Sequence, residues 1–233
     1  MTTWLDRVSA VVETAAPPQR EEPSVVRRRR IVVVVGGVLG AVLLGISLTR
    51  QPGDASFYWL TLALAAVWAL AAVASGPLRL GTLPWGEGGR RPVLLGVGVG
   101  LATGAAFVVG ALIVQQIEVI AEPVGEVMRF ANQGVLPLVV AITLINGVAE
   151  ELFFRGALYT ALEGTRPVLF STLLYIVATL ASGNPMLGFA AVVLGLICAL
   201  ERRATGGVLA PVLTHLVWGL IMVLVLPQIF AGT

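Results

Sequence analysis

An all-helical bundle that crosses a membrane about seven times, N-terminus in and C-terminus out, is the fold class the sequence predicts. Three observations carry that expectation. The 233 residues are 57% hydrophobic and only 12% charged, with a mean hydropathy of +0.93, outside the balance of soluble globular domains. Apolar residues fall into long runs separated by short polar segments, and a spanning helix needs about 20 such residues. The 15 basic residues are all arginine and gather in alternate connecting segments, the pattern that orients multi-pass proteins.

Composition also excludes function classes. A formal net charge of +2 is too small and too dispersed for a nucleic-acid surface, so no nucleic acid is expected as a partner. Cys198 is the single cysteine and sits in an apolar run. That excludes a disulfide framework or a cysteine metal site and marks the residue as packing.

In chain order, residues 1–30 read as a cytoplasmic Arg/Pro-rich tail, partly disordered, with a short amphipathic helix near 4–12. It contains Pro17, Pro18, Pro23 and the arginines Arg27 to Arg30, a topology signal and a contact for anionic lipid. The polar stretch is too long for a secretory n-region and no small-residue cleavage site follows it, so the first span is an uncleaved anchor. Seven apolar segments follow, near 31–48, 57–74, 93–114, 135–152, 167–181, 186–200 and 208–226. Residues 31–114 form three N-terminal transmembrane helices, 115–134 an outer loop or surface helix, 135–226 the core with the motif helices, and 227–233 a short tail. Spans 5 and 6 are short, about 15 residues each, and read as tilted or shallow partners. Span 4 runs on as one helix through Leu162. Glycines such as Gly96, Gly100 and Gly104 in span 3 suit close helix packing. With the N-terminus inside, only Arg50 and Arg129 fall outside, which satisfies the positive-inside rule. Glu118, Glu122, Glu126 and Arg129 recur at near-helical spacing, as a short helix over the bundle would require.

The stretch 146–159 puts charge where none is expected. Intramembrane carboxylates cost about 2.5–3.5 kcal/mol on insertion scales and usually mark function. Glu151 and Arg155 stand four apart with the acid first, the favoured order for a pair on one helix face, and read as a structural salt bridge supporting the site. Glu150 lies about 100° around the helix, on a face with Asn146 and Thr143, and is free for chemistry with Asn146 holding it. Counting from the helix ends places Glu150 about 18 Å from the cytoplasmic end of span 4. Thr179 of span 5 and His215 of span 7 arrive near that depth. The polar stripe of Ser171, Tyr175 and Thr179 reads as interhelical hydrogen bonders, with Tyr175 and Thr179 as auxiliaries of a site that opens toward the cytoplasmic half.

Those residues carry a resemblance. Glu150-Glu151-Leu152-Phe153-Phe154-Arg155 resembles the first motif, E-E-x-x-x-R, of the CPBP family of intramembrane proteases, which holds the type II CAAX prenyl endopeptidases and bacterial bacteriocin-processing or immunity proteins. His215 to Gly219 is similar to the third motif, H-x-x-x-N, and Tyr175 to Thr179 lies where the second, F-x-x-x-H, belongs. Order, spacing and helix context match over residues 135–226. Two positions depart: the second-motif histidine is Thr179 and the third-motif asparagine is Gly219. The resemblance implies water activation by the first-motif Glu and second-motif His, with the third-motif residues binding a metal or an oxyanion. Of that set Glu150 and His215 remain as catalytic candidates, and they would also be the ligands of any metal.

Such a pair can hydrolyse a peptide bond, Glu150 as general base and His215 assisting the oxyanion or the leaving amine. A zinc site wants three protein ligands and is poorly served by one histidine, with or without Asn146. The expected partners are the lipid bilayer and a membrane-associated peptide or protein substrate, in the plasma membrane; the prenyl-CAAX substrate is not carried over. Two other classes compete: a degenerate family member acting as a membrane peptide-binding, immunity or regulatory factor, and a proton-coupled transporter.

Overall fold

The computed structural model describes residues 15–17, 21–51, 53–83 and 89–230; the helix anticipated near 4–12 lies outside them. Every regular element among the described residues is helical. They are α1 (Pro23–Leu48), α2 (Ala55–Ser75), α3 (Val93–Val114), α4 (Glu118–Asn132), α5 (Leu136–Ala161), α6 (Pro167–Leu180), α7 (Pro185–Thr205) and α8 (Leu209–Ile229). Six of these, α1, α2, α3, α5, α7 and α8, are long and apolar enough to cross a membrane, and α6 is a shorter apolar helix of 14 residues. The protein is therefore a multi-pass membrane protein, and its apolar exterior agrees: Leu94 is 87% and Val177 65% exposed, faces that only lipid tails can cover.

Local chemistry explains where the helices start. Pro23, Pro167 and Pro185 sit in first turns, where a missing N–H costs nothing. Asp54 caps α2 by accepting from the Ser56 N–H at 2.8 Å, a bond that holds its carboxyl below the usual value. Asn184 caps α7 in the same way. α1 begins eight residues ahead of the apolar run, so Arg27 to Arg30 belong to its first turns. Arg29 is fully buried there, donating to Glu21 at 2.9 Å, to Ser75 at 2.9 Å and to Pro77 O at 3.2 Å. Ala16 N–H donates to Arg203 O, so parts of the N-terminal segment lie against the arginine-rich end of the bundle.

α7 is longer than the sequence predicts, and α5 carries an irregular turn. α7 has 21 residues rather than about 15, because Glu201 and Arg202 do not end it at an interface but are buried with partners. α5 is continuous to Ala161, as the long fourth helix required, but its segment Leu152–Leu158 is a π-helix in which Tyr159 N–H reaches back to Phe154 O. Arg202 Nε donates to Arg155 O at 2.8 Å within that widened turn. The anticipated surface helix is α4, with Glu126 and Arg129 3.7 Å apart on its exposed side.

Packing follows the glycines. A Cβ on Gly40 would run into the Trp68 indole, which sets α1 against α2. On α3, a Cβ at Gly96 would meet Ala210 O and one at Gly100 would lie 2.8 Å from Val217 Cβ, so α3 lies backbone-close on α8. An aromatic cluster of Trp68, Phe153, Phe154 and Tyr175, with ring centroids 4.8 to 6.1 Å apart, fills the space between α2, α5 and α6. The most apolar 18-residue stretches of α5, α7 and α8 are 39 to 44% buried against 22% for those of α1, α2 and α3, so α5, α7 and α8, two of which carry motif positions, lie at the centre of the bundle.

Candidate active site

The site is built from α5 outward. Helical spacing turns Thr143, Asn146, Gly147 and Glu150 toward a cavity of about 300 Å³, while Glu151 and Arg155 on the other face have no exposure at all. α6 adds Tyr175 and Thr179 to the cavity wall, and α8 adds His215 and Gly219. The three helices thus bring Glu150, Thr179 and His215 together, as their positions along the spans anticipated.

Glu150 Oε2 accepts a hydrogen bond from the Tyr175 hydroxyl at 2.8 Å. That replaces the expected holder. Asn146 Nδ2 donates one turn back to Ile142 O at 2.9 Å, because a short amide side chain on a helix finds its own backbone carbonyl first. Thr179 does likewise, its hydroxyl donating to Tyr175 O at 2.9 Å, and Ser171 is buried with no partner for Oγ among the described residues.

Glu151 does more than pair with arginine. Its Oε1 accepts from Arg155 Nη1 at 3.1 Å and stands 2.8 Å from His215 Nδ1. Arg155 in turn donates to Gly195 O at 2.9 Å and lies 4.5 Å from the centre of the Tyr175 ring. This chain of contacts ties α5 to α6, α7 and α8. A proton on Nδ1 faces Glu151 and leaves Nε2 as the working nitrogen of His215. Gly147 leaves room for the ring, since a Cβ there would sit 3.3 Å from His215 Cδ2, and Trp218 meets its edge at 5.8 Å.

Two buried polar groups behind the site escaped the sequence reading. Thr214, beside His215, is fully buried and lies 2.9 Å from Glu201 Oε1 and 3.0 Å from Gly96 O, joining α8 to α7 and α3. Arg202 bonds Arg155 O and Thr160 and lies 4.8 Å over the Tyr159 ring. In sequence both Glu201 and Arg202 read as charges ending a span, and no local signal separates that role from a buried one.

A zinc ion would find Glu150 and His215 in the cavity and, beside them, only the neutral amide and hydroxyl oxygens of Asn146, Tyr175 and Thr179, which are poor zinc ligands. Nδ1 is taken by Glu151, and Thr179 and Gly219 stand where further donors would be needed. No group of three or more His, Cys, Asp or Glu able to hold a metal occurs among the described residues. The donor set does not fit a zinc centre.

Fold and site together define a multi-pass membrane protein with an acid and a histidine facing one cavity inside its helix bundle. A family model described as type II CAAX prenyl endopeptidase Rce1-like matches residues 132–221. The matched segment runs from the end of α4 into α8 and includes all three motif positions, which supports the resemblance to the CPBP family. No curated protein and no solved structure matches the chain.

Proposed function

We propose that the protein is an intramembrane endopeptidase that hydrolyses a membrane-associated peptide or protein at the plasma membrane. The observation that carries this reading is that Glu150 and His215, from two different helices, line one cavity, with Glu150 hydrogen-bonded by Tyr175 and His215 by Glu151. Glu150 takes a proton from water as the water oxygen bonds to the scissile carbonyl carbon. His215, as the imidazolium, donates its Nε2–H to the developing oxyanion. The C–N bond then breaks and the leaving amine takes the proton held by Glu150. Glu151 fixes the imidazole and stabilises its charged form. The Tyr175 hydroxyl orients one carboxylate oxygen and leaves the other for water.

The test is cleavage of a panel of membrane-anchored and secreted reporter peptides by purified protein in lipid. Glu150→Ala and His215→Ala each lower the rate about 10²- to 10⁴-fold, the usual worth of a general acid or base. Tyr175→Phe removes one bond to a charged group, about 1.5–3 kcal/mol, and slows kcat about ten- to hundredfold with little change in KM. Parent and variants that are folded and equally inert across the panel would sink the protease reading.

One observation favours a second reading, a family member that binds a membrane peptide without cutting it. Thr179 and Gly219 supply neither histidine nor asparagine, and the Thr179 hydroxyl is spent on Tyr175 O. Installing Thr179→His with Gly219→Asn separates the two. Cleavage gained only in the double variant establishes the binding form, and an active parent excludes it.

A further inference from the structure

The cavity at Glu150 draws on only one half of the bundle. α1 lines it with Leu44, Ser47 and Leu48, at the end remote from Arg27 to Arg30. α2 lines it with Phe57, Thr61 and Leu64, at the end remote from Arg79. α6 contributes Tyr175 and Thr179 rather than the turn next to Arg166, and α7 contributes 187–194 rather than the turns of Arg202 and Arg203. From above, Val127 and Met128 of α4 close the wall. A second hollow of about 170 Å³, between α4 and the turn of Ser182, Gly183 and Asn184, shares Leu48, Val127 and Leu187 with the first. The gap exists because α6 has only 14 residues, and α4 covers it, latched by Asn184 Nδ2 donating to Pro123 O at 2.9 Å. Access to Glu150 therefore lies at the arginine-poor end, the reverse of the opening toward the arginine-rich half that the depth count suggested.

The lining also selects the occupant. Walls of Leu44, Leu64, Leu194 and Met128 suit apolar side chains, and polar groups concentrate at the Glu150 end. There Asn146 is 8% exposed, and its Oδ1, opposite the amide nitrogen that bonds Ile142 O, is buried with no partner among the described residues. A buried amide oxygen without a donor matches a peptide N–H.

We propose that the cavity takes an extended apolar peptide segment presented from the non-cytoplasmic face, sliding beneath α4, with its backbone N–H bonded to Asn146. The substrate class is thus an exported or membrane-inserted peptide, not a cytoplasmic one. This rests on the protease reading for its chemistry and on the arginine-rich end being cytoplasmic for its side.

The test needs no catalysis. Full-length Thr61→Cys and Met128→Cys are labelled with a membrane-impermeant maleimide in right-side-out and in inverted membrane vesicles. Arg79→Cys marks the arginine-rich end, and the parent, whose Cys198 is buried, sets the background. The expected result is labelling of both cavity cysteines in right-side-out vesicles only and of Arg79→Cys in inverted vesicles only. A short Leu/Ala peptide added outside slows labelling of Thr61→Cys, a Lys/Glu peptide of equal length does not, and Asn146→Ala removes the protection. Cavity cysteines labelled from the cytoplasmic face, or from neither face while Arg79→Cys reacts, overturn the proposal, as does absence of peptide protection. Repeating the protection in Glu150→Gln keeps the two readings apart. Protection there, with a parent that cleaves nothing, retains the access route and removes the protease.

Discussion

Glu151 holds the site together through a single oxygen. Its Oε1 serves both Arg155 and His215, and neither acid nor arginine has any solvent exposure. Taking one member from such a set leaves an uncompensated charge in a low-dielectric interior, a loss of about 3–5 kcal/mol. Glu151→Ala is accordingly expected to lower the free energy of unfolding in detergent by that amount and to abolish any activity with it. Glu151→Gln retains the bond to His215 Nδ1 and falls between the two. A Glu151→Ala protein as stable as the parent would show the triad to be dispensable for the fold. Arg155→Lys is not conservative either. The guanidinium bonds Glu151 and Gly195 O while stacking on Tyr175, and a point-charge ammonium cannot do all three.

Between elements, the close approaches are set by residues without side chains. α3 and α8 meet where Gly100 faces Val217 and the Thr214 carbonyl, and α1 and α2 meet where Gly40 faces Trp68. Gly100→Val inserts methyls into space that backbone already fills, an overpacking cost of about 1–3 kcal/mol. The expectation is a lower melting temperature for Gly100→Val and Gly40→Leu, against none for Gly98→Val, whose Cβ would meet nothing within 4 Å. Equal melting for all three variants would refute the close-packing account. The π turn of α5 belongs to the same scale: it lets Arg155 O take a bond from Arg202 on α7, and such turns recur at functional sites.

For the molecule as a whole, the arginines divide into two kinds. Arg27, Arg28 and Arg30 are exposed, whereas Arg29 is buried among Glu21, Ser75 and Pro77 O. Neutralising the three exposed residues to Ala is expected to weaken the proposed N-in orientation, read by reporter fusions in the loops, while leaving detergent stability unchanged. Arg29→Ala does the opposite, lowering stability and leaving the orientation. An Arg29→Ala protein that inverts its topology while keeping its stability would contradict this division.

The membrane class, the approximate positions of the apolar helices and the motif positions were legible in the amino-acid sequence. Hydrocarbon demands long apolar helices, and charge within them is rare enough to be seen one residue at a time, so Glu150, Glu151, Arg155 and His215 stood out before any coordinates. Their partners came from packing between helices. Tyr175 rather than Asn146 reaches Glu150, His215 shares Glu151 with Arg155, and Glu201 and Arg202 lie inside the protein. Tertiary packing also put the cavity at the arginine-poor end. The physical reason is that helical periodicity fixes which face a residue occupies, while the neighbour on that face comes from another helix, and no spacing along one chain segment names it.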